Sequence, residues 1–425
     1  MWIRMMDAML RRALKTEALD VRLPGGETRR YGPPGAVPRV AIALHDPALP
    51  RRLVRNADLA LGEAYMDGAL TIERGTLRDF LAVAVRAGEM GDDVPAFRLW
   101  RAAARARRRA AQLNPPRRAR RNVAHHYDLS GRLYELFLDE DRQYSCAYFA
   151  EPGMSLEEAQ AAKKAHIARK LLLRPGMRVL DIGCGWGGLA LTLARDHGAR
   201  VTGVTLSQEQ HAYARARVEA AGLEGQIDIR LQDYRELTGR FDRIVSVGMF
   251  EHVGVPHYQA YFAKVRGLLA PGGVALIHTI GRLDGPGVSS PFIERHIFPG
   301  GYVPALTEML APVQRLNLVT CDLEVWRLHY AETLRCWLER FEARAAEAEA
   351  LYDARFVRMW RFYLAGCEMS FRHHRLAVFQ LQLAREKDAV PITRDYLYRD
   401  HEALRAPLLR VPIHAGARAN GREVH

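Results

Sequence analysis

Between residues 122 and 395, short apolar runs bounded by glycine or polar clusters alternate with stretches whose apolar residues recur every three to four positions. The runs at 177–183, 200–206, 227–231, 243–247 and 273–279 predict strands, and the stretches between them predict helices. That alternation predicts an α/β, doubly wound, Rossmann-like sheet, mostly parallel, with helices on both faces. A helical segment at 124–139 is expected before the sheet and a second helical region at 332–387 after it. Residues 1–95 read as a separate small α+β unit. They carry strand-like pieces at 21–23 and 40–44 and a helical pattern after Asn56 that stops at Gly68. The tail from Val390 is expected to wrap the surface or fray, and 396–425 receives no role.

The first run of the sheet ends in a glycine turn. Asp181 and Ile182 lead into glycine at 183, 185, 187 and 188, and a helical pattern with Leu189, Leu191 and Leu193 follows. Strand, turn and helix in this order make a nucleotide-binding corner, where free N–H groups of the opening helix receive an anion. Gly183, Gly185 and Gly188 also fit the dinucleotide spacing. The next strand, however, ends in Thr205-Leu206-Ser207 and lacks the acid that would take a ribose. Asp181, two residues before the first glycine, suits an amine. The corner therefore predicts S-adenosylmethionine (SAM), its ammonium at Asp181 and its carboxylate at the helix N-terminus.

Charge and cysteine usage narrow the setting. Lys and Arg number 62 against 49 Asp and Glu, a net +13, which points to an anionic partner surface. Nine arginines from Arg101 to Arg121, with no acid between them, form a basic segment at 96–121. It reads either as a solvated linker or as a headgroup-binding segment at an anionic membrane surface. RNA binding ranks third because no aromatics interleave, and no nucleic-acid partner is expected. Five cysteines without CxxC spacing fit free thiols in a reducing compartment. No run reaches the ~18 apolar residues of a membrane span, and the first residues lack a signal-peptide pattern. The expected location is cytoplasmic, peripheral to the membrane.

Ligand chemistry in such a sheet gathers at the carboxyl ends of its strands. There stand Gly183 to Trp186, Thr205 to Gln210, Asp233-Tyr234, Met249-Phe250-Glu251-His252 and His278-Thr279-Ile280. Glu251 and His278, at neighbouring strand ends, are expected to share one cleft.

Taken together, Tyr144-Ser145-Cys146-Ala147-Tyr148-Phe149, the stretch 180–188, Thr205-Leu206-Ser207, Phe250-Glu251-His252, His278-Thr279-Ile280, Ile297-Phe298-Pro299-Gly300-Gly301 and His329-Tyr330 resemble the cyclopropane-fatty-acyl-phospholipid synthases. The mycolic acid cyclopropane synthases are similar over 122–395, and residues 1–95 resemble the N-terminal domain of the phospholipid-acting members. The resemblance implies methylene transfer from SAM to a cis double bond of an unsaturated phospholipid acyl chain. It also implies a bound bicarbonate ion as base, held by Cys146, Glu251, His278, Tyr330 and the N–H of Ile280. Tyr148, Phe149 and Phe250 would stabilise the cation. For SAM it implies Tyr144, Ser145, Leu180, Asp181, Gly183, Cys184, Gly185, Trp186, Gly187, Gly188, Thr205, Leu206, Ser207, Gln210, Tyr234 and Arg235. Tyr234 replaces the Trp of some relatives. Cys367 matches a position labelled an active-site cysteine in the family, with core packing as the competing reading. The resemblance further implies a homodimer formed through the N-terminal domain. Methyl- or methylene-branching of the same lipid, and N-methylation of a soluble amine, are the alternative reactions.

Overall fold

In the computed structural model, residues 1–90, Gln112 and 131–398 are described. The basic segment at 96–121 lies outside them except for Gln112, as do 399–425 and the first part of the helix expected at 124–139.

The N-terminal unit carries strands β1 (Leu19–Arg22), β2 (Thr28–Tyr31), β3 (Val40–Leu44) and β4 (Leu70–Arg74) in the order β2-β1-β3-β4. Helices Trp2–Ala13, Leu49–Arg55, Ala57–Met66 and Leu77–Met90 accompany them. Asn56 begins the third helix by accepting the Leu59 N–H through its side chain at 3.3 Å. The helix at Trp2–Ala13 goes beyond the sequence expectation.

The main sheet holds β5 (Arg178–Ile182), β6 (Arg200–Thr205), β7 (Ile227–Leu231), β8 (Phe241–Val247), β9 (Leu269–Arg282), β10 (Val319–Trp326) and β11 (Leu376–Ala384), in the order β10-β11-β9-β8-β5-β6-β7. The pairs from β9 through β8, β5 and β6 to β7 are parallel. β11 joins β9 antiparallel, and β10 joins β11 antiparallel. Strand order reverses between β5 and β8, so the loops leaving these two strands part and open a crevice.

All five expected strands are present. β10 and β11 are additional, and β11 lies inside the region read as helical at 332–387. Eight of its nine residues are buried. A strand covered on both faces loses its two-residue alternation and cannot be told by periodicity from a buried helix. Within the segment expected at 124–139, the helix described is Gly131–Glu135. The tail packs beyond Val390. Arg394 Nε donates to Asp322 Oδ2 at 2.5 Å, and the Tyr396 hydroxyl donates to Gln382 Oε1 at 3.1 Å.

One apolar core runs from the N-terminal unit into the helical layer of the catalytic part. The contact is also polar. Asp58 Oδ1 accepts from the Phe292 N–H at 3.1 Å and from Ser290 Oγ at 2.7 Å. Arg78 meets the fully buried Glu368 at 2.5 Å. Gly62 is required here because a Cβ at this position would sit 2.1 Å from the Phe292 ring. Among the described residues, no helix is long and apolar enough to cross a membrane.

Gly62→Ala should therefore force the N-terminal unit off the Pro291–His296 helix and cost about 1–3 kcal/mol. Thermal unfolding checks this: the melting temperature should fall, and Phe292→Ala in the same chain should restore part of the loss.

Candidate functional site

A cavity of about 220 Å³ opens at the carboxyl ends of β5, β6, β7 and β8. Its β5 wall is the glycine turn. Gly183, Gly185 and Gly187 take φ of 83°, 54° and 82°, values that side chains with a Cβ rarely adopt. A Cβ on Gly188 would meet the Asp141 carboxylate at 2.3 Å. That carboxylate is seated by Lys164 and Arg217, each at 2.5 Å. At β6, the Thr205 hydroxyl donates to Gln210 Oε1 at 3.0 Å, and Ser207 caps the helix Gln208–Ala220. At β7, Asp233 grips Arg235 with two bonds of 2.9 and 2.6 Å, and the guanidinium lies 5.8 Å from the Tyr234 ring centre.

Of the residues expected at the cofactor, Tyr144, Ser145, Asp181, Gly183, Cys184, Gly185, Trp186, Thr205, Leu206, Gln210, Tyr234 and Arg235 line this cavity. Leu180, Gly187, Gly188 and Ser207 do not. Leu180 faces an apolar core, and the other three shape or cap the surrounding turns. Lys163, Gln143, Arg142, Asp233 and His252 line it as well.

Asp181 is 1 % exposed, and its Oδ2 has no hydrogen-bond partner among the described residues. Burial pushes its carboxyl up to about 7, opposed by the positive field of Lys163. The cavity thus combines an open glycine backbone, an unpartnered buried acid and an aromatic ring beside a guanidinium. Such a set fits an amine-bearing nucleoside.

A second cluster lies outside this cavity lining. Glu251 Oε1 accepts the Ile280 N–H at 2.7 Å, while its Oε2 is buried without a partner among the described residues. Burial raises Glu251 to about 7. His278 lies two residues before Ile280 on β9 and so shares its face. Its Nδ1 is 3.1 Å from the side-chain nitrogen of Gln380, its register partner on β11. The ring stands edge-on to Trp326 at 5.1 Å. Burial drives the imidazole well below its ordinary value, so it is neutral. The Cys146 thiol donates to the Ala147 carbonyl at 3.3 Å, and burial holds it protonated. Tyr330 is likewise held protonated by burial, with Tyr144, Cys146, Glu251 and Cys367 as its electrostatic neighbours. Glu251 is bonded to β9 at Ile280, two residues beyond His278, whose own ring packs against Gln380 and Trp326. A buried carboxyl with one unpartnered oxygen thus lies in the neighbourhood of the neutral Tyr330, itself a neighbour of Cys146, a chemistry that fits a small hydrogen-bonding group.

Cys367 sits on the helix Ala354–His373, packed against the apolar core, and burial raises its thiol to about 12. The cation-stabilising rings need correction. Phe250 is fully buried in a core and stacked on Tyr258 at 4.4 Å. Tyr148 is stacked on His166 and His329 at 4.7 and 5.0 Å. Their faces are spent on packing. The rings around Tyr144 and Tyr330 are instead Trp337, Phe298, Tyr363 and Phe371.

The sequence profile described as mycolic acid cyclopropane synthetase matches residues 115–381. The chain belongs to this family. It is a SAM-dependent methyltransferase. A family described as a domain of unknown function matches residues 5–90. A cyclopropane-fatty-acyl-phospholipid synthase of Escherichia coli (strain K12) is 41% identical over 344 residues, covering 81% of this chain and 87% of that protein. A "probable fatty acid methyltransferase" of Pseudomonas putida is 37% identical over 413 residues, covering 93% of this chain and 100% of that protein. The solved mycolic acid cyclopropane synthase CmaA1 complexed with SAH and CTAB superposes with a TM-score of 0.60 at 34% identity, over 64% of this chain and 99% of that one.

The two raised carboxyls in this cyclopropane-synthase fold predict a pH signature. Unfolded, Asp181 and Glu251 titrate at ordinary values of 3.8 and 4.5 against about 7 in the fold. Between roughly pH 4.5 and pH 7 the folded chain holds protons the unfolded chain has lost, so stability falls as pH rises through that window. Thermal unfolding of ligand-free protein should show this decline, and Asp181→Asn or Glu251→Gln should each flatten it.

Proposed function

We propose that the protein transfers a methylene from SAM to the cis double bond of an unsaturated acyl chain in a membrane phospholipid and closes a cyclopropane ring. The observation that carries this reading is Glu251: a buried carboxyl that accepts the Ile280 N–H, keeps one unpartnered oxygen and lies in the electrostatic neighbourhood of Tyr330, as does Cys146. An N-methyltransferase needs no such buried carboxyl. The 41% identity to the Escherichia coli synthase supports the same substrate.

When bound, SAM supplies an electrophilic methyl and bicarbonate supplies a base. The residues do the rest by holding and excluding. Asp181 takes the ammonium, the turn at 183–188 cradles the amino-acid end, Thr205 to Gln210 face the ribose, and Tyr234 with Arg235 flank the adenine. Cys146, His278 and Tyr330 would donate to the bicarbonate oxygens, and Glu251, bonded to the Ile280 N–H through Oε1, would accept its hydroxyl through the unpartnered Oε2. These residues would hold SAM so that its methyl could pass to the alkene, the sulfur taking the electron pair of the broken bond, and would hold bicarbonate where it could take the proton lost from the added carbon as the second ring bond forms. Tyr144, which lines the cavity, would offer a π face to the transient cation. Holding the alkene in line with the carbon–sulfur bond supplies much of the acceleration.

With SAM and vesicles of unsaturated phospholipid, the product should gain one carbon and two hydrogens and lose its reducible double bond. Mass analysis before and after hydrogenation checks this. A product that gains the carbon but stays reducible would favour branching, the second reading, which the Pseudomonas putida relative's name supports. Glu251→Gln should lower kcat by on the order of 100-fold or more while leaving SAM binding intact.

Membrane attachment has a surface suited to it. The outer face of Trp2–Ala13 exposes Met1, Met5 and Ala8 beside Arg4, Arg11 and Arg12. Its one acid, Asp7, is turned inward onto Arg29 and Tyr31. Binding should need anionic lipid and weaken with salt. At ~1 kcal/mol per charge near the surface, Arg4→Glu with Arg11→Glu and Arg12→Glu should weaken vesicle binding by roughly 100-fold or more. Vesicle sedimentation measures it, and equal binding to neutral vesicles would remove this role.

A further inference from the structure

Two oppositely charged side chains reach the cavity without meeting each other. Asp181 comes from the end of β5, and Lys163 comes from the helix Leu156–Lys170; each is 1 % exposed. Among the described residues neither forms an ion pair. The Lys163 ammonium donates to Gln143 Oε1 at 2.7 Å and to Ser145 Oγ at 2.8 Å, both neutral. An ammonium carries three donors, so one remains. Asp181 retains an unpartnered oxygen. An uncompensated buried charge is costly and persists where a ligand or partner completes it. Two of opposite sign, held apart in one cavity, are complementary to a zwitterion.

We propose that Lys163 binds the carboxylate of the cofactor's amino-acid end, opposite the ammonium held by Asp181. This inference rests on the reading that the cavity holds SAM. It moves the carboxylate from the helix N-terminus, where the glycine turn alone would put it, onto a side chain. It also links cofactor to substrate side: the same ammonium holds Ser145, the neighbour of Cys146. Burial presses the Lys163 ammonium down to about 8, against the pull of Asp139 and Asp141, as expected of a cation that lacks a close anion.

The competing role is bracing of the segment from Gln143 to Ser145. Calorimetric binding of three ligands separates the two: SAM, its decarboxylated form, and 5′-methylthioadenosine, which lacks both charged groups. Wild-type protein should prefer SAM to the decarboxylated form by roughly 10- to 100-fold. Lys163→Gln, which keeps a hydrogen-bonding side chain, should bring that preference close to unity and leave 5′-methylthioadenosine binding unchanged. Lys163→Arg should retain a measurable part of it. A Lys163→Gln protein that keeps the full preference overturns the proposal. So does one that loses all three ligands equally, since bracing alone predicts that. Wild-type protein that binds neither SAM nor 5′-methylthioadenosine would fail the cofactor reading itself, and this one with it.

Discussion

Two carboxyl groups held out of water govern this architecture. Asp181 and Glu251 are at most 9 % exposed, and each keeps one oxygen without a partner among the described residues. A fold selected for stability alone would not retain them, because an unsatisfied buried acid costs free energy that an apolar residue would not. Such a cost is tolerated where a ligand completes the group, as the cavity lined by Asp181 allows. Beneath them, Ser246 on β8 and Thr279 on β9 are wholly buried. The antiparallel addition of β11 and β10 closes the edge of β9 and places Gln380 and Trp326 against His278.

The N-terminal unit contributes to the same enclosure from a distance. It packs on the helix Ala354–His373, which presents Tyr363 and Cys367 towards Tyr144 and Tyr330. Arg78 is anchored on Glu368, one residue from Cys367, and Asp58 raises the Cys367 thiol electrostatically. The aromatic wall is thus backed by the N-terminal unit. This gives Cys367 a physical account, as a packed residue at the seam between the two units.

Much of the site was legible because its residues sit where chain direction changes. Glycine at 183, 185 and 187, the Thr205-Leu206-Ser207 strand end and the Asp233–Arg235 turn are local features, fixed by nearby backbone geometry. Lys163 and Gln380 were not legible, for a common reason. Gln160, Lys163, His166 and Lys170 are polar or charged residues of one helix, a composition usual for a solvated face, yet all four are buried. Gln380 and Gln382 interrupt an apolar run and are wholly buried. Polar residues reveal their role only through partners, and these partners come from far along the chain: Ser145 for Lys163, His278 for Gln380, Lys170 for Gln382. Tyr148 and Phe250 show the converse, since an aromatic beside a motif does not disclose which way its faces point.

The sequence by itself determined the parallel βα frame and the glycine-rich corner at the end of β5, because periodicity, glycine spacing and short motifs are local properties of a chain. Tertiary structure alone decided which polar groups are dry, which rings are free, that β11 is a strand and that Lys163 faces Asp181's cavity. Burial, and with it the protonation state of each acid and base, depends on what distant segments lay against a residue, and no local pattern encodes that.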